Sequence, residues 1–199
     1  MDAFKISVKF FATGGNFDAS SFVGVFHGWI QNQLVADHLL IDVADYDHVA
    51  GGPGTVLVSS EANFYMDKQD GRLGLLYSRK LAAPGDFSQR LRAAVAEALK
   101  ACARLEQEPN LPGLRFGTNE MLIRLSDRLR APNTAETLAA AKPAIESLAR
   151  ELYAGGEVKL QHNANPEELF EVTVRSSAGP GIGALLERLA VTEASGVRS

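Results

Sequence analysis

A chain of 199 residues that is 46% hydrophobic and 22% charged has the composition of an ordinary folded protein, with length enough to bury a core. Its 20 basic against 24 acidic residues give a net charge of −4, and it lacks the basic cluster on which nucleic-acid binding rests. The single cysteine, Cys102, excludes an internal disulfide and suits a reducing cytosol, while the absence of a targeting pattern or a long apolar run argues against membrane insertion and for a cytoplasmic protein.

Taken in order, "FKISVKF" alternates strictly, with Phe4, Ile6, Val8 and Phe10 on one face and Lys5, Ser7 and Lys9 on the other, which predicts a half-buried strand. "DASSFVGVFHGWIQNQL" repeats apolar residues at helical spacing through Phe22, Val25, Phe26, Trp29 and Ile30. In that helix Gly24 and Gly28 stand one turn apart, a spacing that predicts close packing of its backbone. Strand patterns return at "LLIDVAD" and "TVLVSSEANFYMD", and "KQDG" turns the chain into "RLGLLYSRK", a hairpin in which Gly71 supplies a positive φ. "DFSQRLRAAVAEALKACARLEQE" predicts a helix capped by Asp86, with Gln89 three residues on.

"PNLPGL", residues 109–114, is the linker candidate. Beyond it come a strand at "EMLIRLS", a helix at "NTAETLAAAKPAIESLARELY" with Asn133 as its cap and Pro143 as a kink or a break, strands at "EVKLQ" and "ELFEVTVRS", and a closing helix at "GIGALLERLA". A shift of 117 positions lays Phe4, Ile6 and Val8 on Met121, Ile123 and Leu125, and Ile41 and Val43 on Val158 and Leu160. The expectation is an α+β fold of two tandem β-α-β-β-α units, at residues 1–108 and 114–199. The two would pack as one composite domain of mostly antiparallel sheet with helices on one face.

Such a sheet leaves a polar face open. On it the alternation places Lys5, Lys9, Asp42, Glu61, Arg124 and Arg175, the candidate ligand-binding residues of a groove between the units. The hairpin from 62 to 77 instead carries apolar residues on both faces and must pack on a second subunit or between the two units of its own chain; in the first case Phe64, Tyr65, Leu75 and Tyr77 are the candidate interface of a homodimer.

"LLIDVADYDHVAGGPG" sets Asp42, Asp45, Asp47 and His48 close together, types that ligate divalent metals. Strand alternation sends Asp42 and Asp45 to opposite sides, and Asp favours strand exits because its side chain bonds nearby backbone, so the stretch reads as a strand end. "GPGIGA", residues 179–184, matches a dinucleotide pattern but leaves no room for the second strand of its βαβ unit. His27, His38, His48 and His162 are dispersed, and Cys102 sits on the apolar stripe of its helix. No cofactor is expected.

"LLIDVADYDHVAGGPG" and "GRLGLLYSRK" resemble stretches of a bacterial protein family with no assigned activity, a resemblance that covers most of the chain and implies no catalytic residues. The strand-helix-strand-strand order is also similar to that of the gyrase-inhibitor-like small-molecule-binding proteins, which hold ligand between two related units. Three functions are therefore carried forward. The first is non-enzymatic binding of a small molecule, the second an oligomeric accessory role, and the third metal-assisted hydrolysis by Asp42, Asp45 and His48 with Glu61 near.

Overall fold

The structure, a computed structural model, describes residues 1–196, except for the side chains of residues 70 and 192–196; residues 197–199 of the expected second unit lie outside this range. Strand β1 (Ile6–Gly14) leads through a short 3-10 turn to helix α1 (Val23–Gln31). Strands β2 (Leu40–Asp45), β3 (Thr55–Ser59), β4 (Ala62–Asp67) and β5 (Gly74–Arg79) form a meander that returns beside β1. Helix α2 (Phe87–Leu105) and the two-residue strand β6 (Arg115–Phe116) precede β7 (Glu120–Leu125), α3 (Ala135–Leu152), β8 (Val158–Asn163), β9 (Phe170–Ser176) and α4 (Ile182–Gly196).

The strands form one sheet in the order β2-β3-β4-β5-β1-β7-β9-β8, with β6 paired to β1, and every pairing is antiparallel. The α+β expectation holds. The register fixes the faces. Ile6 and Val8 stand level with Leu125 and Ile123 on one side and with Tyr77 on the other. Phe64 in turn stands opposite Tyr77. That face shares one core with Phe26 and Trp29 of α1, Leu91, Val95 and Leu99 of α2, Ile145 of α3 and Leu185 of α4. Each large apolar side chain so buried contributes roughly 1.5–3 kcal/mol.

Local chemistry sets the helix ends. Asp86 accepts from the Gln89 backbone N–H at 2.9 Å while the Gln89 side chain accepts from Asp86 N–H, the expected capping box. Thr134, not Asn133, caps α3, because the Asn133 amide is engaged by the carbonyls of Asn163 and Asn165. Pro143 lies inside α3, which continues on both sides of it. The Arg92 guanidinium ties α2 to α3 through Glu151, at 2.6 Å for each of two bonds, and to α4 through the Leu189 carbonyl. Nothing approaches the positions where Gly24 and Gly28 would carry side chains, so the close packing expected there does not occur. The 109–114 segment is packed rather than free, with Leu111 and Leu114 in the core.

The β4–β5 hairpin forms as expected, with Gly71 at φ 70°. It is internal to the sheet, between β3 and β1. Phe64, Leu75 and Tyr77 are buried within the single chain and Tyr65 is half-buried on the opposite face. The chain itself thus covers this apolar area, one of the two placements that the two-faced pattern allows.

Candidate functional site

The open face carries most of the sequence-derived candidates, and its guanidiniums are already matched. Arg124 donates to Glu171 Oε2 at 2.9 and 2.7 Å. Arg72 grips Glu120 through two bonds of 3.1 and 3.0 Å while lying 3.7 Å over the Phe11 ring. Arg175 reaches the same Glu120 at 3.0 Å. Burial pushes the Glu120 carboxyl up, but Arg72 and Arg175 outweigh it and hold the group below its ordinary value. Lys9 is not an exposed ligand at all. It is 0% exposed, and its ammonium donates to Asp67 Oδ2 and the Gln69 carbonyl at 3.0 Å each, both within the stretch that closes β4 and turns toward β5. Lys5, Asp42 and Arg175 remain exposed. Glu61 lies in the β3–β4 turn and accepts from the Leu39 N–H at 3.0 Å. The structure therefore does not gather the six candidates into one groove.

The acidic stretch is a strand end. The Asp42 carboxylate accepts from the adjacent Val43 N–H at 2.8 Å, that of Asp45 from the Asp47 N–H at 2.9 Å, and that of Asp47 meets Lys68 at 3.4 Å. Among the described residues no three His, Cys, Asp or Glu side chains stand close enough to share a metal ion. No helix of the described residues is long and apolar enough to cross a membrane.

A concave space lined by aromatic side chains lies on the other face, under the segment that joins α1 to β2. That segment is held by backbone chemistry. The Leu34 N–H bonds the Trp29 carbonyl at 3.0 Å and the Gln33 N–H that of Ile30 at 3.2 Å. This double closure requires a left-handed residue, here Gln33 at φ 48°. A second left-handed residue, Asp37 at φ 60°, turns the chain so that His38 points inward, its side chain only 2% exposed.

Two cavities adjoin there. The larger, of about 310 Å³, is floored by Trp29, Leu34, Val35, Phe64 and Leu186, and Lys100, Arg104 and Glu97 of α2 stand at its wall. The smaller, of about 110 Å³, is lined by Tyr77 and Arg79 of β5, Arg90 and Glu97 of α2, and Asp37 and His38. The rings of Phe64, His38 and Tyr77 meet edge-on, at centroid separations of 5.2 to 5.9 Å, between the two.

His38 Nδ1 lies 3.0 Å from the Ala36 carbonyl. A carbonyl only accepts, so Nδ1 carries the proton, and in the neutral ring Nε2 accepts from the Tyr77 hydroxyl at 3.3 Å. Burial pushes the Tyr77 hydroxyl above its ordinary value, against the pull of Arg79.

Sequence reasoning missed this cluster. His38 reads as one dispersed histidine, and Arg79, Arg90 and Glu97 as ordinary strand and helix charges; the one available signal was the seven-residue spacing of Arg90 and Glu97, which puts both on one side of α2. No known protein-family model matches the chain, and no curated protein resembles it in sequence.

Proposed function

We propose that the protein binds a small amphipathic molecule in the larger cavity, with apolar atoms against Trp29 and Phe64 and a polar or anionic end toward Lys100 and Arg104. The supporting observation is the cavity itself. Its volume is about 310 Å³ and its floor is aromatic and aliphatic, which falls at the small end of the range typical of ligand pockets, where a few polar groups fix orientation. The cationic rim sets that orientation. A related-unit reading is supported by the neighbouring β1 and β7, each followed by a helix and flanked by the last strand before the next helix, β5 and β9, although the first half has four strands between its helices where the second has two. The cavity is lined mainly by the first half, with Leu186 of α4 supplied by the second.

Trp29 is the only tryptophan, so its fluorescence reports occupancy. Titration with a panel of carboxylated aromatic and aliphatic compounds is expected to quench or shift that emission saturably. Ala103→Phe, which places a ring in the cavity, is expected to weaken binding about tenfold or more. A panel without saturable change, or binding unaltered in Ala103→Phe, sinks the reading.

A second reading, contact with another copy, is favoured by the sheet edge. Leu39, Ile41, Tyr46 and Val49 are all exposed along β2 and its exits, an apolar run on an edge strand. Light scattering tests it: a 21.4 kDa species at tens of micromolar excludes the dimer, and a dimer that persists in Ile41→Asp lies elsewhere.

A further inference from the structure

We infer that the smaller cavity is a binding site for a small oxyanion, held by the guanidinium groups of Arg79 and Arg90. The Arg90 side chain is 12% exposed, and its Nε–H is buried without an acceptor among the described residues. Buried donors are almost always satisfied, and a charged one left unmatched is the rarest case. The rest of the guanidinium is only partly engaged: one terminal nitrogen donates to the Gly85 carbonyl at 2.8 Å, the other stands 3.5 Å from Asp2 Oδ1, and the Asp2 side chain is itself 81% exposed. Arg79 donates its Nε–H to a backbone carbonyl, that of Leu81, at 3.1 Å.

Two guanidiniums thus line one cavity with mainly neutral partners. Two carboxylates share the wall: Glu97, whose Oε1 accepts from Lys100 at 2.8 Å and whose Oε2 stands 3.9 Å from His38 Nδ1, and Asp37, which is exposed. A volume of about 110 Å³ is the share of three to four waters, enough for a carboxylate or a phosphate but not for the body of a larger ligand. A planar guanidinium fork matches either group. The Tyr77 hydroxyl, already donating to His38, offers the cavity a polar wall rather than a competing charge.

The experiment is calorimetric titration and thermal melting of the full chain with potassium phosphate, acetate and malonate, each against potassium chloride at the same ionic strength and pH. The expected result is saturable binding of at least one of them, with a rise in melting midpoint above the chloride control. Phosphate alone active identifies an inorganic or phosphoryl group, and acetate or malonate alone a carboxylate. Arg90→Gln and Arg79→Gln are each expected to weaken that binding about tenfold or more, and Arg104→Gln, at the larger cavity, to leave it unchanged. No binding by any of the three anions overturns the inference, as does binding that survives both Arg79→Gln and Arg90→Gln. Should Arg90→Gln fail to fold, Arg79→Gln decides alone. Ala103→Phe separates this site from the larger one, since it is expected to block the amphipathic ligand and leave the oxyanion bound.

Discussion

The two faces of the sheet handle charge in opposite ways. On the open face the guanidiniums of Arg72, Arg124 and Arg175 are met by Glu120 and Glu171 across neighbouring strands, and the Lys9 ammonium is sealed against Asp67. There the guanidiniums are engaged within the fold. On the helix side, under residues 32–39, Arg90, which lines a cavity, keeps a buried Nε–H without an acceptor among the described residues. The lesson is that a density of polar residues does not mark a site. Unmatched donors next to empty volume do, because they are what a ligand can still satisfy.

The largest test of this contrast is Asp67→Ala. It removes the Asp67 carboxylate to which the fully buried Lys9 ammonium donates at 3.0 Å, and breaking a buried pair costs about 3–5 kcal/mol. Urea denaturation is the measurement, and a loss under about 1 kcal/mol would make the pair no more structural than a surface bridge. On the helix side the expected change is smaller and of opposite sign. Gln33→Gly relieves a left-handed residue that the α1 terminus requires. The strain relieved is roughly 1–2 kcal/mol and the added freedom of the unfolded chain roughly 0.4–1 kcal/mol, so the net expectation is a gain of about 0.5–1 kcal/mol. A destabilised Gln33→Gly protein would show that the side chain itself holds the segment.

The smallest effect concerns pH. The folded Glu120 carboxyl is depressed by Arg72 and Arg175, so its contribution is present above the ordinary glutamate range and is lost as pH falls through the depressed folded value. Stability measured between pH 7 and pH 3 is therefore expected to fall less steeply at the acid end in Glu120→Gln than in the parent. Identical slopes would remove Glu120 from the acid response.

Much of the fold was legible. The strand signal of residues 4–10, the turn at Gly71 and the Asp86–Gln89 box each report a local periodicity or a local hydrogen bond, and each element forms, although the strand begins at Ile6 and is buried on both faces instead of one. The site was not legible. Lys9 was assigned to an open face by parity, which is correct about direction but silent about depth; the residues from Asp67 to Arg72 fold over it, and no local pattern shows a turn lying on a strand 58 positions away. Two apolar faces require the hairpin to be covered, by the rest of the chain or by a second subunit, and the sequence does not choose between them. A place in the middle of the sheet covers it within the chain, and place in a sheet depends on which strands pair.

The sequence by itself determined the elements, their amphipathic faces and the capping of α2, because these follow from interactions a few residues apart. Only the tertiary structure decided that β1 lies between β5 and β7, that Asp67 neutralises Lys9, and that His38, Tyr77, Arg79, Arg90 and Glu97 surround one small cavity. These residues come from the α1–β2 segment, a central strand and a helix. What brings them together is long-range strand order and the packing of α2 on β1 and β5, which a single chain's local periodicities do not encode.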